Sequence, residues 1–450
     1  PLALPAKRVE LAGVELDLDT DAGPITGSFE TASAAPAGAA LRIEAGGGAL
    51  ALPGLGFDVR GIALAADVDP ATGLAQGTVS AAEIRDLTEV QPLPSAAFEL
   101  RFGPGPGGLV LDGALRDLHG RIAAHLRGAH DPATGEGSGQ IQVDPIRLGK
   151  DAVRLRDVFP GLASLPAIDG TLEAHGELRW KGAETDGHLD VGLRDLRLRA
   201  AAWQVERLNG VVRIAGPRDW RIPSGQLVSM ARVDFGLELT DGLVKFGVDR
   251  AGVMSLASAA WRFAGGTVRA QGKLDLFAEE QALALEVEGV ELEQLLALVN
   301  LDGLSGTGKI SGRLPLRLRP GHIEIEAAQL AAGPEGGTLR YRPHGQAAAL
   351  GGAGGYALDD LLAALADFRY QKLELRLDGD AHAELVVQVA LHGANPGHRD
   401  GQPYELNLSV EGALGDLVRQ GSAAYQIPAR IQERLSKLAA ERGQGYAPGP

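Results

Sequence analysis

At 450 residues, with 45% apolar and 22% charged side chains, the chain can bury a large apolar surface and is too hydrophobic for a disordered segment. Its formal net charge of -15, with no Lys/Arg-rich run, argues against nucleic acid as a partner, and the lack of cysteine excludes disulfides, thiolate nucleophiles and Cys-ligated metals. The 63 glycines and 25 prolines exceed what a helical protein of this size tolerates, so many turns between short strands are expected.

The chain opens on Pro1-Leu2 and is read as a piece of a longer protein whose N-terminal side carries an anchor or signal. No run approaches the roughly 18 apolar residues of a membrane-spanning helix. Asp69-Pro70-Ala71-Thr72-Gly73 and Asp131-Pro132-Ala133-Thr134-Gly135 predict two near-identical hairpin turns. Between them, Gly103-Pro104-Gly105-Pro106-Gly107-Gly108 fits G-x-G-x-x-G only literally, since its prolines remove backbone donors, and it reads as a strand connection. His119, His125 and His130 are the only close group of histidines, and their loop-like surroundings point to solvated side chains.

A nine-residue pattern, G-T-x-x-x-x-G-charged-L, starts at Gly170 and recurs from Gly266 and Gly306, at spacings too irregular for a solenoid. Period-two alternation then predicts half-buried strands with Leu189, Val191 and Leu193 on one face, and likewise Leu283, Leu285 and Val287. Asp241-Gly242 reads as a turn between them. Glu291 to Asn300 carries a helical stripe, and Gly303 to Ile310 falls one residue short of a P-loop, with Ile310 in place of the Mg²⁺-binding hydroxyl.

Further alternation places Ile323 and Ile325 on one face, followed by a helical stripe from Leu358 to Phe368. Then come Leu373, Leu375 and Leu377, a turn at Asp378-Gly379-Asp380, and Leu385, Val387, Val389 and Leu391. Asn395-Pro396-Gly397 is a turn, and Leu406, Leu408 and Val410 with Tyr404 complete the last strand. Pro428 to Arg442 is a third helical pattern, before a Pro/Gly tail. No G-x-S-x-G elbow, H-E-x-x-H or distinctive carboxylate pair appears, so no catalytic residue, metal or cofactor is expected.

The segments Val290 to Leu296, Gly306 to Leu316 and Gly321 to Ala332 follow the order of the C-terminal portion of the YdbH family, which they resemble. Phe368 to Leu375, Leu391 to Gly397 and Gly401 to Leu408 resemble that family's closing segments, so the likeness runs from about Gly170 to Glu411. It implies an AsmA-like, TamB-related protein: mostly β, an elongated, twisted, open β-groove of many short antiparallel strands with a few short helices. It also implies an inner-membrane anchor in a Gram-negative bacterium, a path across the periplasm, and phospholipid moved toward the outer membrane. Implied partners are a YnbE-like outer-membrane lipoprotein added as a strand and a YdbL-like periplasmic protein.

On this reading residues 1–165 are a β-rich groove segment, 166–415 the region of resemblance, and 416–450 a helical and Pro/Gly-rich end. The eighteen aliphatic residues named on alternating faces become candidate groove-lining residues. Alternation alone favours a two-sheet sandwich with a dry core, and the resemblance reverses that preference. The alternatives are a ligand-free β-rich envelope scaffold and, third, a carbohydrate-active enzyme, which the scarcity of Trp and Tyr disfavours.

Overall fold

The computed structural model describes residues 8–412, apart from 21–22, 54–55, 88–93, 159–165, 183, 202, 217–220, 300–302, 343–355 and 382. The helical pattern at Pro428 to Arg442 lies outside the described residues. Those described form 24 strands and three short α-helices, in two units. The first unit comprises Pro1–Arg199, Arg207–Val228 and Val248–Arg250, and the second the remainder.

The first unit contains β1 (Val9–Thr20), β2 (Gly23–Ala37), β3 (Ala40–Leu52), β4 (Phe57–Val68), β5 (Ala75–Asp86) and β6 (Ala96–Gly105). β7 (Gly108–Asp117), β8 (Ala123–Asp131), β9 (Glu136–Leu148), α1 (Leu155–Val158), β10 (Ala167–Lys181) and β11 (Glu184–Arg199) follow. From β1 to β11 each strand pairs antiparallel with the next, and among the described residues no pairing joins β1 to β11, so this ladder is open.

Local turn chemistry explains the meander. The Asp69 carboxylate accepts from Ala71 N at 2.8 Å and Thr72 Oγ1 at 2.9 Å, and Gly73 takes a φ of 73°, which suits glycine. Asp131 repeats this with Ala133 N at 2.9 Å, Thr134 Oγ1 at 3.0 Å and Gly135 at 71°. One short motif therefore closes both the β4/β5 and β8/β9 hairpins.

At the β7/β8 turn the buried Asp117 carboxylate accepts from Ile122 N at 2.6 Å and His119 N at 3.2 Å, and also from Arg121 N. Burial alone would raise its pKa, but these three donors and the Arg121 guanidinium hold it below the ordinary 3.8. The unfolded chain therefore binds the proton more readily, so the stabilisation is present above about pH 3.8 and is lost as pH falls through the lower folded value. Asp117→Ala should destabilise the first unit by about 1–3 kcal/mol at neutral pH, and its melting difference from wild type should shrink in acid. A difference independent of pH would mean that the carboxylate charge contributes nothing.

β12 (Gln204–Ala215), β13 (Ile222–Asp234) and β14 (Glu238–Val248) carry segments of both units. The second unit continues through β15 (Val253–Phe263), β16 (Gly266–Asp275), β17 (Gln281–Glu291), α2 (Leu292–Val299), β18 (Leu304–Thr307) and β19 (Lys309–Arg319). It ends with β20 (His322–Ala332), β21 (Gly337–Tyr341), α3 (Tyr356–Leu365), β22 (Phe368–Asp380), β23 (Leu385–Ala394) and β24 (Pro403–Gly412).

Its antiparallel ladder runs β15-β16-β17-β19-β20-β22-β23-β24, with β18 and β21 as a side branch on β22. Leu292, Leu295 and Leu296 of α2 and Leu365 of α3 pack with Ile310, Phe368 and Leu373, which makes both helical stripes legible, although the second ends at Leu365 and its expected last residue, Phe368, opens β22.

Two expected turns are corrected. Asp241-Gly242 lies inside β14, where Asp241 alone enters the left-handed region at φ 52°, and the chain reverses instead near Phe235–Leu237. Asp378-Gly379-Asp380 closes β22 instead of turning, and Asp380 N donates to Glu384 O at 3.0 Å just before β23 begins.

The first two copies of the G-T pattern each lie in one strand, β10 and β16, whereas the third is divided between β18 and β19 at Gly308. There φ is 125°, and a Cβ would lie 2.1 Å from the Tyr370 hydroxyl that donates to Thr307 O. The P-loop-like stretch is thus a strand break over an aromatic ring, not a phosphate loop opening a helix.

Candidate functional site

Directly opposed residues on antiparallel strands point to the same face, so register turns alternation into rows that cross the sheet. In the first unit Leu64, Val79, Leu100, Gly113, Leu126, Ile141, Gly176 and Leu189 stand opposite one another from β4 to β11. Beside them runs a second row, Phe98, Leu115, Ala124, Val143, Ala174 and Val191, and then Ile146, Leu172 and Leu193. The other face carries Thr78, Arg101, Asp112, Arg127, Gln140, Glu177 and His188 in equally strict register.

The aliphatic members of the first row, Leu64, Val79, Leu100, Leu126, Ile141 and Leu189, are all only half-buried. A second packed sheet would have covered them, and a contiguous apolar surface left open to water marks a lipid or protein contact. The sheet is open and groove-like, with this apolar face as its candidate site.

The second unit places its candidates on one face by the same logic. Leu283 opposes Leu316, which opposes Ile325, with Gly379 and Leu385 continuing the row. Val287, Gly312, Leu330, Leu375, Val389 and Leu408 form another, and Leu373, Leu391 and Leu406 a third. Leu377 opposes Val387, which opposes Val410, whose side chain lies outside those described, and Ile323 opposes Leu318.

Burial differs from the first unit. Leu285, Val287, Ile323, Ile325 and Leu385 belong to one packed cluster with Leu283, Leu377 and Val387 against it, and Leu373 and Leu391 to a second with Leu375, Val389 and Leu406. Leu193 packs against a third, while Leu189, Val191 and Leu408 stay half-buried. The structure therefore gathers most of the second-unit candidates into packed clusters and leaves the most open apolar face in the first unit, where Leu189 and Val191 were singled out from sequence but Leu64, Val79, Leu100, Leu126 and Ile141 were not.

The charged faces are paired among themselves. Asp190 is gripped by Arg213 through bonds of 2.7 and 2.6 Å, and that hydrogen-bonded pairing holds its carboxyl below the ordinary value against the opposing effect of burial. Glu280 joins Arg317 to Arg319, whose guanidinium also meets Glu324 at 3.2 Å. His119, His125 and His130 turn to separate partners, Asp117, Asp144 and Trp180. Among the described residues no group of His, Asp and Glu converges as metal ligands.

A family model described as YdbH-like, "Intermembrane phospholipid transport protein YdbH", matches residues 4–436. No curated protein and no solved structure matches the chain.

Proposed function

Since the chain belongs to the YdbH-like family of intermembrane phospholipid transport proteins, we propose that the apolar face of its open sheet holds lipid acyl chains while the headgroup stays in water. Each methylene exposed to water costs about 0.8 kcal/mol, so lifting a two-chain phospholipid out of a bilayer costs on the order of 20 kcal/mol. A continuous aliphatic surface offsets that cost at every position along the path. The observation that carries this reading is the half-exposed row from Leu64 to Leu189. Leu, Val, Ile, Ala and Gly present no hydrogen-bonding groups, so chains are held without being fixed, which suits sliding.

The setting proposed is the periplasm of a Gram-negative envelope, with an inner-membrane anchor on the N-terminal side and no catalytic role. Among the described residues no helix is long and apolar enough to cross a membrane. β24 pairs with β23 alone among the described strands, so its other edge can accept a strand from a YnbE-like lipoprotein; a YdbL-like periplasmic protein is the second proposed partner. The packed clusters favour a second reading for the second unit, a dry structural core.

Photo-crosslinking residues at Leu126 and Arg127, and at Val387 and Gln388, test both readings in cells with labelled phospholipid. Capture at Leu126 and not at Arg127 is expected on both readings, with capture at Val387 and not at Gln388 added only where the acyl-chain path extends over the second unit. Capture at Leu126 alone would confine lipid to the first unit. Capture at none of the four in a folded, well-expressed protein would leave the scaffold reading.

A further inference from the structure

In an antiparallel meander successive connections alternate between the two ends of the strands, so the β7/β8 and β9/β10 connections share one lip of the first unit's sheet and the β8/β9 and β10/β11 turns the other. At the first lip three guanidiniums gather on one residue. Arg121 Nη2 donates to Asp157 O at 3.2 Å, Arg154 Nε to Asp157 Oδ2 at 2.6 Å, and Arg156 Nε lies 3.9 Å from Asp157 Oδ1. Asp117 lies 3.5 Å from Arg121 Nε and already accepts three backbone N–H groups of its own turn. Two carboxylates and one carbonyl cannot satisfy fifteen N–H donors, and the side chains of Arg154 and Arg156 are 55% and 63% exposed.

Beneath these cations the apolar face begins. Val153 and Leu155, from the same connection as Arg154 and Arg156, pack on Ile122, Ile146, Leu148 and Leu196 at the edge of the aliphatic rows. The opposite lip is acidic: Asp131, Glu136 and Glu184 stand there, and Lys181 is held by Glu136 at 2.6 Å. A groove with exposed guanidiniums at one lip and an acidic opposite lip orients any headgroup that carries a phosphate.

Building on the acyl-chain reading, we propose that Arg121, Arg154 and Arg156 form a phosphate station that binds the phosphodiester of a phospholipid whose chains lie on the adjoining rows of Val143, Leu172 and Leu193. Arginine's planar donor fork matches phosphate oxygens in pairs, and the chemistry selects phosphate-bearing lipids over neutral ones with the same chains.

The test compares binding of two chain-matched fluorescent lipids, phosphatidylethanolamine and diacylglycerol, to the purified full chain. Wild type should prefer the phospholipid about tenfold at low ionic strength, the worth of one good charge-assisted contact, and salt should shrink that preference. In R121Q/R154Q/R156Q the preference should fall to about one with diacylglycerol binding unchanged, which also shows that the groove has folded; R121K/R154K/R156K should recover part of it. A preference that survives the glutamine variant, or that wild type never shows, overturns the station and leaves the acyl-chain reading standing. If wild type binds neither lipid, the acyl-chain reading itself fails, and the station with it.

Discussion

Leu126→Asp, and separately Ile141→Asp, should reduce lipid transfer by about tenfold or more while shifting stability by less than about 1 kcal/mol. Both side chains are half-buried and oppose each other across β8 and β9, so a carboxylate at either place remains hydrated in the lipid-free protein. The penalty arises only when an acyl chain must pass over it and strip its water. Passage along a row is serial, so one such step limits the whole path. Arg127→Gln, on the opposite face, removes only the 3.5 Å contact with Asp112 between two well-exposed side chains and should leave transfer unchanged. Transfer measured between donor and acceptor vesicles, with melting curves beside it, separates the two effects. Undiminished transfer by a folded Leu126→Asp protein would place the lipid path elsewhere than on this face.

Sequence periodicity revealed the strands of the second unit more readily than those of the first, for a physical reason. In β17, β22 and β23 uninterrupted alternating runs of Leu and Val occur, as in Leu283, Leu285 and Val287, Leu373 to Leu377 or Leu385 to Leu391, and most of these side chains pack in clusters. In the first unit the same phase is broken by Gly113, Gly128, Gly139 and Gly176, so hydropathy alternation fades while the register persists. Glycine is needed there because neighbouring backbone comes close: a Cβ at Gly113 would lie 2.6 Å from Glu99 O. The repeated D-P-A-T-G turn was the signal that could have recovered the row, since closing a hairpin at Asp131–Gly135 sets Leu126 opposite Ile141. Asp241-Gly242 misled for the converse reason, as a turn dipeptide can also lie within a strand, here with Asp241 alone at a positive φ. Alternation could not distinguish one open sheet from a sandwich, because a half-buried strand has the same pattern in both.

The same substitution in the second unit should act in the opposite way. Ile325 is 2% exposed, opposes Leu316 and Gly379, and sits in the cluster with Leu285, Leu314 and Leu385. An aspartate there has no water and no cation on its face, since the arginines of β19, Arg313, Arg317 and Arg319, alternate with Leu314, Leu316 and Leu318 onto the other side. Burying an unpaired charge costs on the order of 3–5 kcal/mol, to which the lost packing of Ile325 adds, and stabilities of this size span only about 5–15 kcal/mol. Ile325→Asp should therefore abolish amide-exchange protection from β17 to β22, whereas Ile325→Val should cost only about 0.5–1.5 kcal/mol. Hydrogen exchange reads the units separately, and protection in β4 to β9 serves as the internal control. Retained protection in Ile325→Asp, together with lipid capture at Val387, would mean that this face opens to water as the first unit's does, and the dry-core reading of the second unit would have to be abandoned.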